Sequence, residues 1–163
     1  ASDVYKRQLF PLFSIPVFAE TPPAIPQYQV GTSSHVQSTI NALVPGGKPD
    51  VPITSYMPCR DFIADEIADN QPVGTPEARS GAIVHQHLGE LHQLIAPYLV
   101  TDSHGTIFKP TLEYLMVNIS GYCQKNPGNT LNDAIKVSAS KLSQVIKDSN
   151  NETRKDWEKL HQQ

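Results

Sequence analysis

The sequence predicts a mostly α protein: a small single-domain helical fold of four to five helices with one disulfide, preceded by a Pro-rich flexible leader. Three observations carry that expectation. Apolar residues recur at three- and four-residue spacing through successive segments after about residue 58. Prolines stand at the edges of those segments, at Pro58, Pro72, Pro97, Pro110 and Pro127, rather than inside them. The only two cysteines, Cys59 and Cys123, each sit in a stretch that otherwise reads as helix.

The N-terminus bears on whether those sulfurs are joined. Leu9 to Ala19 is an apolar run ending in Val17-Phe18-Ala19, with small residues at the two positions a signal peptidase reads. Residues 1–19 therefore read as adapter-like residues plus a truncated signal peptide, cleaved after Ala19. The run is too short to span a bilayer, and no cysteine follows Ala19, so neither a membrane span nor a lipid anchor is expected. In an oxidising compartment an even number of thiols pairs completely, which predicts a Cys59–Cys123 disulfide. Closing a loop of that length restrains the unfolded chain by about 4 kcal/mol in the chain-entropy model.

Without residues 1–19 the chain carries 11 basic and 15 acidic side chains, a net charge of −4. That balance offers no electrostatic footprint for nucleic acid. In strong acid, with carboxylates neutral and all six histidines charged, the same chain reaches about +17, and self-repulsion loosens compact states.

Residues 20–54 contain six prolines and Gly46-Gly47 and read as a mobile extended leader. Within them Val36, Ile40, Leu43 and Val44 recur at helical spacing, predicting a short amphipathic helix. Residues 55–163 form the expected helical domain. Its first helix runs from Pro58 to about Asn70 with Phe62, Ile63 and Ile67 inward, and carries Asp65, Glu66 and Asp69 at the end where the macrodipole disfavours anions. Thr75-Pro76-Glu77 is a start signal for a second helix reaching Ala96. Tyr98 to Lys109 reads as a small hairpin or packed loop around Asp102-Ser103-His104-Gly105. A third helix opens at Pro110, a fourth near Thr130, and a last polar one spans about Asn151 to Leu160, where Trp157 should anchor it.

The chemistry-bearing residues give little support to an enzyme. His85, His87 and His92 share one helix but not the three- or four-residue spacing that helical zinc ligands need, so no metal site is assigned; charging in mild acid is the more natural role. A catalytic Cys59 would require a free thiolate, which pairing with Cys123 removes. No Gly-x-Ser-x-Gly, phosphate loop or Cys-x-x-Cys occurs. No catalytic or cofactor-binding residue is assigned, and the carboxylates of the first helix read as a solvated face.

The cysteine neighbourhoods resemble those of the HdeA/HdeB family of periplasmic acid-stress chaperones. Met57-Pro58-Cys59-Arg60-Asp61-Phe62-Ile63 is similar to that family's first cysteine segment, and Tyr122-Cys123-Gln124-Lys125-Asn126-Pro127 with Leu131 to the second, closest to the B-type member. Thr75-Pro76 falls where the family starts a helix, and Trp157-Glu158-Lys159-Leu160 is similar to the A-type tail. The resemblance covers residues 55–161; this chain departs from it in its longer leader, its longer stretch between the cysteines and its less lysine-rich tail.

The resemblance implies a periplasmic protein that is an inactive homodimer at neutral pH and, in acid, exposes apolar surface to denatured periplasmic proteins without ATP. Ile83, Leu88, Leu91, Leu112, Leu115, Met116 and Ile119 are the candidate client-binding or dimer surface, and they read equally as ordinary core. A second reading is a periplasmic immunity or inhibitor protein. Thr111-Leu112-Glu113, followed by a helix, a proline and a further helix, loosely resembles the Rap1a/Tai immunity family, whose members bind a secreted toxin.

Overall fold

The computed structural model describes residues 34–101 and 103–161, without the side chain of Trp157. The expected signal peptide, the first part of the expected leader and the anchoring role expected of Trp157 lie outside the described residues.

Among the described residues five α-helices form: α1 (Ser34–Leu43), α2 (Cys59–Asp69), α3 (Gly81–Ile95), α4 (Lys109–Lys125) and α5 (Leu131–His161), with a 3-10 turn over Ala96–Tyr98. Among the described residues there is no strand, and no helix is long and apolar enough to cross a membrane. The α4–α5 pair makes the largest helix contact, as a short connection between two helices favours. Helix α2 packs on α4, and α1 packs on α2.

The disulfide joins Cys59, the first residue of α2, to Cys123 in the last turn of α4. Both cysteines are fully buried. Around the bridge, the two helix starts satisfy each other's orphan backbone groups. Pro58 gives α2 no side-chain cap. Instead the Cys59 and Arg60 N–H groups donate to the Asn129 and Pro127 carbonyls at 2.7 and 3.0 Å. In return the Leu131 and Asn132 N–H groups at the start of α5 donate to Met57 and Ser55 at 2.9 and 2.8 Å. Thr130 and Asp133 complete that start as a capping box, the Asp133 N–H donating to the Thr130 hydroxyl at 3.2 Å and the Thr130 N–H to the Asp133 carboxylate at 3.1 Å. The Thr130 N–H and the Thr130 hydroxyl, which donates to the same carboxylate at 2.8 Å, hold the Asp133 carboxyl below its ordinary range.

Four local expectations change. The sequence reading extended the leader to Thr54, yet from residue 34 onward it is packed: Val36, Ile40, Val44 and Ile53 belong to the core. Gly47 lies so close to α2 that a β-carbon there would sit 2.7 Å from the Arg60 carbonyl oxygen. The second helix does not begin at Thr75-Pro76, because the Thr75 hydroxyl and N–H both turn back to the Pro72 carbonyl, at 2.7 and 3.2 Å. It begins after Ser80, whose hydroxyl caps the Ile83 N–H.

The expected hairpin is a single bridge between Thr101 and Ile107 with Gly105 in the left-handed region, where φ is 78°. The fourth and last helices are one 31-residue helix, since nothing between Lys147 and Asn151 is Pro or Gly and a Ser-Asn-Asn run alone does not break a helix.

Candidate functional site

Helix α3 stands off from α2 and α4 over a cavity of about 730 Å³. Ile53, Phe62, Val84, Leu88, Leu91 and Met116 give it apolar walls, and the 70–79 loop closes one side. Asp65, Glu66 and Asp69 of α2, Arg79 of the loop and His87 of α3 make its polar end.

Arg79 is the hub. Its side chain is 5% exposed, and its guanidinium donates to Asp65 at 3.0 Å and Asp69 at 2.7 Å through Nη1, and to Asp50 at 2.7 Å through Nη2. Nη2 also donates to the Pro49 carbonyl. From the opposite side, the His87 Nδ1 lies 2.8 Å from the second oxygen of Asp69 and 4.0 Å from Asp65. Asp69 thus holds the Arg79 guanidinium on one oxygen and the His87 imidazole on the other. Glu66 accepts from the Ser120 hydroxyl at 2.6 Å, tying the cluster to α4.

The electrostatics follow from the head count. Four carboxylates face one guanidinium and one imidazole, so the ionised cluster has an excess of negative charge with little water to screen it. The most buried members take up protons first. Burial pushes Asp65 up to about 8 even though His87 and Arg79 pull the other way, and burial pushes Glu66 up to about 7 against the Ser120 hydrogen bond. Burial also works against charging His87, but the hydrogen bond and charge of Asp69, with Asp65, prevail and raise it. His92, further along α3, is lowered by burial, and its Nε2 is buried without a hydrogen-bond partner. Among the described residues no group of three or more histidine, cysteine, aspartate or glutamate side chains is placed to hold a metal ion.

Of the residues singled out from the sequence, Leu112, Leu115, Met116 and Ile119 are core, at 0–4% exposure, and Leu88 and Leu91 are buried on the inner face of α3. Ile83 is half-buried at the first turn. Met116, Leu88 and Leu91 meet at the cavity; Leu112, Leu115, Ile119 and Ile83 do not line it. Sequence reasoning missed Arg79 and Asp50, which sit in loops without periodicity. It also read the α2 carboxylates as solvated, whereas Asp65 is 1% exposed. The one available signal was the placing of three anions at a helix C-terminus, where they need compensating cations. Comparison with known proteins finds no matching family model, curated protein or solved structure.

Proposed function

We propose that the protein is an acid-activated, ATP-independent periplasmic chaperone, a homodimer at neutral pH, which in strong acid exposes apolar surface and keeps denatured clients from aggregating. The observation that supports this reading is the double use of Asp69 between Arg79 and His87. Protonating the aspartates would leave two cations facing each other at a buried site, and their repulsion would push α3 off the domain. That movement uncovers Leu88, Leu91 and Met116 first, then Leu112, Leu115 and Ile119 behind them. The disulfide between α2 and α4 keeps the opened chain tethered.

The pH course is not monotonic. Asp65, pushed up to about 8, Glu66, pushed up to about 7, and His87, also raised, each contribute stability that is complete below the unfolded value and is lost as pH rises through the folded one. His92 has a lowered value and works the other way, costing stability as pH falls below its ordinary range. Asp65, Glu66 and His87 thus favour the closed cluster in mild acid, and His92 opposes it.

An aggregation assay with a generic client between about pH 2 and 7, read together with hydrophobic-dye binding, tests the proposal. Protection and dye binding are expected only at the acid end. No protection at any pH, or dichroism and oligomer size constant down to about pH 2, overturns it and leaves the immunity reading, with one tight partner at neutral pH, ahead.

A further inference from the structure

The cavity beneath α3 is a container with one charged end, at neutral pH and in the folded protein. Its volume of about 730 Å³ lies in the range of small-molecule sites, and its walls are side chains of Ile53, Phe62, Val84, Leu88, Leu91 and Met116. The polar end is not internally balanced. Asp65 lines the cavity with a side chain 2% exposed; its Oδ1 accepts from Arg79, while its Oδ2 is buried with no hydrogen-bond partner. A buried oxygen in that state is costly, and Arg79 cannot relieve it because its guanidinium is already shared among Asp65, Asp69, Asp50 and the Pro49 carbonyl.

We propose that this cavity binds a small organic cation with an apolar body, of the primary alkylamine class, its ammonium set against Asp65 and Glu66 and its chain between α2 and α3. Charge chooses the cation. Asp50, Asp65, Glu66 and Asp69 face Arg79 and His87, with His85 at the cavity lining, so the ionised site lacks positive charge. A carboxylate ligand would add to the excess, and an alcohol would leave it uncorrected. Protons now fill that need, since burial holds Asp65 and Glu66 partly protonated near neutrality. An ammonium ion entering the site takes their place, so binding releases protons to the buffer.

The inference does not depend on the chaperone reading, which concerns the opened protein in acid. It is tested by isothermal titration calorimetry of the full chain at neutral pH with octylamine, octanol and octanoate, each in two buffers of different ionisation enthalpy. Octylamine should bind at one site with proton release, at least about tenfold more tightly than octanol, and octanoate should not bind. Asp65→Asn should weaken octylamine about tenfold and reduce the proton release. Val84→Trp, which alters no charge, should abolish binding by filling the cavity while helical dichroism is unchanged. Absence of octylamine binding, equal affinity for octanol or octanoate, full affinity in Asp65→Asn, or full affinity in a folded Val84→Trp each overturns the proposal.

Discussion

Asp69 and Arg79 concentrate in two side chains what elsewhere is spread over a surface. Salt bridges on α5, such as Arg154 with Glu158, are exposed and contribute little. Arg79 is buried, and removing it leaves Asp65 and Asp69 with His87 as their remaining basic neighbour. Arg79→Met should therefore cost about 3–5 kcal/mol in urea unfolding at pH 8, the usual effect of breaking a buried pair. The loss should shrink toward pH 5, where Asp65 and Glu66 carry protons and leave less charge uncompensated. His92 gives the opposite sign. Its unpartnered Nε2 resists charging, so His92→Leu should raise stability more at pH 5 than at pH 8, as measured by thermal unfolding at both.

At the scale of elements, α1 and the turn after it are structural rather than a leader. Val36 and Ile40 bury one face of α1, Val44 is buried just after it, and the Lys48 N–H donates to Asp61 of α2 at 2.9 Å. Gly47 allows that approach, since any side chain there meets the α2 backbone. Gly47→Ala should cost about 1–3 kcal/mol in chemical denaturation, by overpacking rather than by lost contacts. Helix α3 is secured differently. It rests on Leu88, Leu91 and Ile95 and is pinned by His87 to Asp69 and by Glu90, which accepts the Ile53 N–H at 2.8 Å.

The whole molecule is organised around the disulfide and the exchanged hydrogen bonds beside it. The bridge spans 64 positions, and the paired Cys59→Ala and Cys123→Ala variant should lose about 4 kcal/mol in urea unfolding at neutral pH. On the proposed acid opening, that variant should lose its helical dichroism at a pH where the oxidised protein keeps part of it.

Much of this architecture was legible in the residues. Each of the five described helices was expected from apolar spacing, with proline marking the edges of most, because a helix must bury one face and cannot pass a proline cheaply. The cysteine pairing follows from an even count and an exported reading. The core role of Leu112, Leu115, Met116 and Ile119 was visible in their period. The α3 start and the continuity of α5 were misread because capping signals compete locally, and only packing and backbone hydrogen bonds choose between Thr75 and Ser80.

By itself, then, the sequence determined the helical class, the disulfide partners and the inward face of each long helix, since these depend on periodicity and covalent count. The charge cluster and the cavity were decided by tertiary structure alone. Arg79, Asp50, Asp69 and His87 are brought together from two loops and two helices, and no spacing along the chain records that convergence. Whether an aspartate is solvated or buried depends on what lies across from it, and that is a property of the folded molecule.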